Sequence, residues 1–218
     1  MSVRVVSAGL DLPESRLREL SARLDERERA RAERFVLERH RRRFTAARGL
    51  LRETLAEELA LDPRALRFEY ASHGKPRLAA AHGGELSFNL SHSEDRLLIA
   101  LGRGVELGVD IEGVRDDIDH AAIARRFFSG SEGEALLAQP ERSRAAAFFA
   151  IWTRKEAYIK LVGGGLSIPL ASFDVSLGEP PRLLRGAPEG VALQPVEAPV
   201  GFAAALAVAP AGAISQDR

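Results

Sequence analysis

The sequence predicts an α+β protein made of two halves of similar make-up, each half a helical layer on an antiparallel sheet. Two observations carry this. Helical periodicity followed by short apolar strand runs occurs twice along the chain, with a break at Gly102 to Glu106. The second occurrence holds the strongest helical pattern, Arg142 to Val162, which is stopped by Gly163-Gly164-Gly165. The expected halves are therefore residues 1–104 and 105–218. No residue-level repeat links them, so any two-fold relation would be structural only.

Taken in order, Val3 to Ala8 reads as a strand and Pro13 to Leu24 as a helix. Asp25 to Arg43 carries eight arginines and five acids and runs as a charged helical stretch into Phe44 to Leu61, where Leu50, Leu51, Leu55 and Leu59 recur at helical spacing. Most of these arginines are expected to face water, as charge runs do. Asp62-Pro63 ends the helix. Leu66 to Tyr70, Leu86 to Leu90 and Leu97 to Leu101 are strand candidates separated by Gly, His and Ser clusters. In the second half, Val105 to Ile111 is a strand, and Ala121 to Phe128, Gly130 to Ala138 and Arg142 to Val162 are helices. Phe173 to Leu177, Val191 to Val196 and Gly201 to Val208 alternate as strands, with Pro180-Pro181 and Pro199 at the breaks.

Composition narrows the function classes. Lys+Arg 31 against Asp+Glu 31 gives no whole-chain case for nucleic-acid binding. The absence of cysteine removes disulfides, thiolate nucleophiles and Cys-ligated zinc. No apolar run is long enough to span a bilayer, so a soluble cytoplasmic protein without membrane or nucleic-acid partners is expected. Only Lys75, Lys155 and Lys160 are lysines, which leaves 28 of the 31 basic residues as arginine. A lysine retained on such a background marks a site wanting a compact ammonium, or survives by chance.

Four segments carry candidate chemistry. In Gly108-Val109-Asp110-Ile111-Glu112-Gly113 the carboxylates at i and i+2 share one strand face, while Val109 and Ile111 face the core. Such a pair is a Mg²⁺ site or two exposed acids on an edge strand. The helix Phe148 to Leu161 is apolar over most of its circumference yet carries Lys155, Glu156 and Lys160, either as a surface ion pair or as charges in a partly enclosed crevice that need a metal or phosphate. Phe88-Asn89-Leu90-Ser91-His92-Ser93 ends a strand in a polar turn offering hydroxyls and an imidazole. His73-Gly74-Lys75-Pro76 is a tight turn. Walker-type phosphate loops, dinucleotide fingerprints, H-E-x-x-H and nucleophile elbows are absent from the sequence.

In order and spacing over Gly74 to Gly165, with Arg125-Arg126-Phe127-Phe128-Ser129 and Gly165-Leu166-Ser167-Ile168-Pro169-Leu170 beside them, these motifs resemble the surfactin-type 4'-phosphopantetheinyl transferases. The resemblance implies that family's fold, a pseudo-two-fold arrangement of two similar α+β halves with coenzyme A in the cleft between them, and a monomer. It implies Mg²⁺-dependent transfer of the phosphopantetheine arm to a serine of an acyl or peptidyl carrier protein, with release of adenosine 3',5'-bisphosphate. By position, Asp110, Glu112 and Glu156 would hold the metal, and Lys160 would contact the pyrophosphate. Ser91 and His92 match positions at the coenzyme A phosphates, and His73, Gly74, Lys75 and Pro76 match the segment beside the adenine. Lys155, within the same helix motif, is placed with the coenzyme A contacts. Arg31 and Arg48 fall where the family places basic contacts to the 3'-phosphate. Glu28 departs from the pattern, standing where a relative can have lysine.

Phosphoryl transfer needs charge neutralised and reactants aligned more than covalent help. Glu156 is accordingly expected to accept the serine proton, and Lys160 to stabilise the departing phosphate. The competing expectations are another Mg²⁺-dependent enzyme cleaving a nucleotide-like pyrophosphate, and a non-catalytic module binding carrier proteins or coenzyme A.

Overall fold

The computed structural model describes residues 2–71 and 74–214. Its first half runs β1 (Val3–Gly9), α1 (Glu14–Ser21), α2 (Glu26–Glu33), α3 (Glu38–Leu59), β2 (Phe68–Tyr70), β3 (Pro76–Leu78), β4 (Leu86–Ser93) and β5 (Arg96–Arg103). The second half runs β6 (Val105–Gly113), α4 (His120–Phe127), α5 (Gly130–Leu137), α6 (Glu141–Val162), β7 (Asp174–Val175), β8 (Leu183–Arg185), β9 (Ala192–Gln194) and β10 (Phe202–Pro210). Each half sets one 22-residue helix, α3 or α6, against a three-stranded antiparallel sheet, β1-β5-β4 or β6-β10-β9. This is the α+β fold expected for two similar halves.

The sheets are sandwiched between the helices, and that explains the continuous apolar runs. Leu97, Ile99 and Leu101 on β5 point into a core with Leu51 and Leu55 of α3. Leu98 and Ala100, on the other face of the same strand, join Leu107, Val109, Ile111, Leu206 and Val208 in a core between the two halves. Likewise β10 sends Ala205, Ala207 and Ala209 under α6. Strands buried on both faces lose the polar alternation of a half-exposed sheet. Small residues under α6 let it approach closely. A Cβ on Gly108 would lie 2.0 Å from Ala157 O and 2.3 Å from Leu161 N, so strand and helix touch backbone to backbone.

Local differences from the sequence expectations have physical causes. The charged stretch is two helices rather than one. Asp25 and Glu28 form a capping box that starts α2, Arg34 ends it, and Phe35 turns back to pack on Phe44 at 5.3 Å between ring centroids. Ser91 to Ser93 lie within β4, because the reversal comes later, at Glu94 with φ of 51°. The tight turn expected at Gly74 joins β2 to β3: Gly74 N donates to Ala71 O at 2.8 Å, Gly74 has φ of 81°, and Pro76–Leu78 continues from it as β3 paired with β2. The short strand β8 carried no periodicity to find.

Candidate functional site

The site forms where β4, β6 and α6 meet at the seam between the halves. The backbone partner of β4 is β5, and that of β6 is β10. Between β4 and β6 alternate side chains make the connection instead. Asn89 Oδ1 accepts from Val109 N at 3.0 Å, Ser91 Oγ donates to Asp110 Oδ1 at 2.8 Å, and Ser93 Oγ donates to Glu112 Oε2 at 2.8 Å while accepting from Gly113 N at 3.2 Å. The period-2 geometry of a strand aims residues 89, 91 and 93 the same way. Asn89 and Ser93 were not singled out from the sequence as site residues. Their spacing around Ser91 was the available signal.

From the opposite side α6 delivers Lys160, whose Nζ donates to Asp110 Oδ1 at 2.6 Å and to Ser91 Oγ at 2.7 Å. Glu156, one turn earlier on the same face, is half-buried. With Gly74, Pro76, Asn89 and Lys160 it lines a cleft cavity of about 290 Å³. Asp110 is 2 % exposed, which excludes the alternative of two acids displayed on an edge strand. Desolvation pushes its pKa up against the pull of Lys160. Glu112 is also raised by desolvation, and Glu156 by desolvation and then by the charge of Asp110, with Glu112 adding to it. His92 is exposed, and desolvation and then the charge of Lys160 lower its pKa.

The structure thus brings together Ser91, Asp110, Glu112, Glu156 and Lys160, while His92, next to Ser91 on β4, lies on the strand's other face. Among the described residues no three His, Asp or Glu side chains stand close enough together to hold a metal ion as placed. Lys160 occupies Asp110 Oδ1, and Ser93 occupies one oxygen of Glu112. The donor set nevertheless suits a hard cation. Among the described residues no group pairs with the buried Asp110 Oδ2, and Asp110 and Glu112 add negative charge beside Glu156 at the seam.

One expectation requires correction. Lys155 does not face the cleft; fully buried, its ammonium donates to Leu170 O at 2.7 Å and Phe173 O at 2.6 Å and pairs with Glu132 at 2.8 Å inside the second half. Adjacent helix residues point about 100° apart, so Glu156 at the cleft sends Lys155 into the core. Lys75 lines the cleft cavity, but its ammonium is committed to Leu107 O at 3.1 Å and Leu161 O at 3.0 Å rather than left for a ligand. His73 lies outside the described residues.

The basic residues of the first half form a separate surface. Arg31, Arg27, Arg34, Arg48 and Arg67 line an open cavity of about 860 Å³ with Tyr70. Arg31 is exposed over the Phe44 ring, at 5.4 Å. Arg48 is 7 % exposed and bound through Nε and Nη2 to Glu28 Oε1 at 2.8 and 2.5 Å. Arg52, fully buried, holds Glu28 Oε2 at 2.5 Å and Asp25 Oδ2 at 2.6 Å. Glu28 therefore neutralises part of the charge that the sequence had offered to a phosphate.

A family model described as the 4'-phosphopantetheinyl transferase superfamily matches residues 106–195, and one described as 4'-phosphopantetheinyl transferase, N-terminal, matches residues 13–102. The 4'-phosphopantetheinyl transferase HetI of Nostoc sp. is 43% identical over 178 residues, covering 80% of this chain and 74% of the relative. This chain belongs to the 4'-phosphopantetheinyl transferase superfamily. Other phosphopantetheinyl transferases match over shorter stretches. The transferase psf-1 of Bacillus pumilus is 41% identical over 69% of this chain and 63% of its own length, and Sfp of Bacillus subtilis is 35% identical over 68% and 64%. Phosphopantetheinyl transferases move the phosphopantetheine arm of coenzyme A to carrier proteins, and membership makes this chain such a transferase. Among the described residues no helix is long and apolar enough to cross a membrane.

Proposed function

We propose that the seam between residues 1–104 and 105–218 is the active site of a Mg²⁺-dependent phosphopantetheinyl transfer to a serine of an apo acyl or peptidyl carrier protein. The observation that carries this is the buried, unpartnered Asp110 Oδ2 beside Glu112, Glu156 and Lys160. Desolvation raises all three carboxylates, and the charge of Asp110 adds to the rise of Glu112 and Glu156; such a cluster calls for a cation that the chain's own lysine only partly supplies. Asp110, Glu112 and Glu156 would hold the metal. When bound there, Mg²⁺ supplies neutralisation of pyrophosphate charge.

The remaining residues take the tasks that phosphoryl transfer leaves to protein. Ser91, His92 and Lys160 hold the pyrophosphate, and Gly74 and Pro76 form the wall beside the adenine. The carrier serine oxygen bonds to the phosphorus of the pantetheine phosphate, and the bond from that phosphorus to the bridging oxygen breaks. Adenosine 3',5'-bisphosphate leaves. Glu156 takes the hydroxyl proton directly or through a water; its raised pKa brings it closer to the working pH of a general base. Lys160 balances the charge on the departing phosphate and can return a proton to it. Arg31, with Arg48 already half-neutralised by Glu28, serves the 3'-phosphate. The apolar core joining the halves builds the seam within one chain, and this supports a monomer.

The test is the intact mass of an apo acyl carrier protein and an apo peptidyl carrier domain after incubation with this protein, coenzyme A and Mg²⁺. A gain of one phosphopantetheine, lost with EDTA, is the expected result. Release of free phosphopantetheine without a carrier would point instead to a pyrophosphate hydrolase.

A further inference from the structure

Lys75 is half-buried and carries its ammonium across the boundary between the halves. Its two acceptors, Leu107 O and Leu161 O, belong to different elements of the second half. Leu107 lies on β6, three residues before Asp110; Leu161 lies in the last turn of α6, next to Lys160. Carbonyls of a last helical turn have no donor within the helix, and a cation there also suits the negative end of the helix dipole.

The same level of the fold is where β6 and α6 come closest. At Gly108 the strand backbone meets Ala157 O and Leu161 N, with no room for a side chain. Strand, helix and lysine thus meet at one junction, and the Asp110–Lys160 pair stands directly beside it. The stem of Lys75 is held in turn: Gly74 has φ of 81°, a conformation suited to glycine, and Pro76 begins β3. Burial lowers the pKa of Lys75, with Glu106 opposing. An ammonium kept there has a use for its partners.

We propose that Lys75 is a positioning residue, a latch by which the first half holds β6 and the end of α6 together and so keeps Lys160 on Asp110. The proposal rests on the reading of Asp110 and Lys160 as the reacting centre. It differs from a ligand contact, because the ammonium spends its hydrogen bonds on protein carbonyls.

The test compares wild type with Lys75→Met, which keeps the stem, and Lys75→Gln, which can still serve one carbonyl. Steady-state transfer to an apo carrier protein, calorimetric binding of coenzyme A and amide hydrogen exchange are measured on each. The latch requires kcat to fall tenfold or more in Lys75→Met, with KM and Kd for coenzyme A within twofold of wild type. It also requires exchange at Leu161 to Gly163 to quicken at least tenfold, and Lys75→Gln to lie between. A weaker Kd with kcat retained would make Lys75 a ligand contact and overturn the proposal. Unchanged exchange would overturn it equally. Should Lys75→Met not fold, Lys75→Gln decides by the same criteria. Failure of the functional reading would show separately, as a wild type without transfer or an Asp110→Ala variant of full activity, while the exchange rates still judge the latch.

Discussion

Lys160 Nζ lies 2.6 Å from Asp110 Oδ1 and 2.7 Å from Ser91 Oγ, so α6, β6 and β4 converge on one ammonium. Fifty positions separate the lysine from the aspartate and 69 separate it from the serine. A compact, three-donor group fits this junction where a planar fork cannot.

Replacing Lys160 by Arg keeps the charge and should still cost most of the activity. A fall in kcat of about 100-fold is expected, the lower range of proton-transfer and charge-stabilising groups. The intact-mass time course measures it, and full retention would remove the special role of lysine.

The three carboxylates make the metal-free fold sensitive to pH. Asp110, Glu112 and Glu156 all have pKa values raised by desolvation from ordinary values of 3.8, 4.5 and 4.5, so folding favours their protonated forms. The stability they allow is present below those ordinary values and is lost as pH rises through the raised ones. Glu156→Gln should therefore melt higher than wild type in EDTA, by about 2 °C or more at pH 8 and by less at pH 5, while losing transfer. Scanning calorimetry at both pH values checks the sign; a variant that melts lower at pH 8 contradicts it.

Cation binding should appear without turnover. Millimolar Mg²⁺ is expected to raise the melting temperature of wild type, by linkage to the folded state, and to leave Asp110→Asn unmoved. An equal shift in both would place the metal elsewhere.

Gly108→Ala tests how tightly the site is built. The added carbon would overlap Ala157 O and Leu161 N, so β6 and α6 must separate. Overpacking of this kind costs about 1 to 3 kcal/mol. Urea unfolding measures the loss, and kcat should fall further than stability alone explains, because Asp110 and Lys160 move apart.

The network under the arginine-lined cavity stabilises the fold independently of the chemistry. Arg52→Met strips Glu28 of one buried partner and should destabilise the protein by about 3 to 5 kcal/mol in urea titration. Holo-carrier formation at low temperature should persist, since Arg52 lies beneath the surface rather than on it.

Much of the architecture was legible because its signals are local. The glycines ending α6, the capping residues and the apolar runs each report on their own neighbourhood, and the carboxylates at i and i+2 had to share a face. The break between α2 and α3 was not legible, since it depends on Phe35 finding Phe44. Nor was the continuation of β4 through Ser93, because its polar residues look like a turn until β6 supplies their partners.

By itself the sequence determined the α+β class, the division into halves, the family and the chemical types at the site: two strand carboxylates, a helix carboxylate and a lysine one turn on. Only the tertiary structure decided where each of the three ammonium groups goes. That of Lys160 meets Asp110, that of Lys155 is turned into the second half's core, and Lys75, lining the cleft, ties one half to the other. The reason is physical. A residue's identity sets what bonds it can make, but for long flexible cations the partners lie tens of residues away, and packing alone chooses among them.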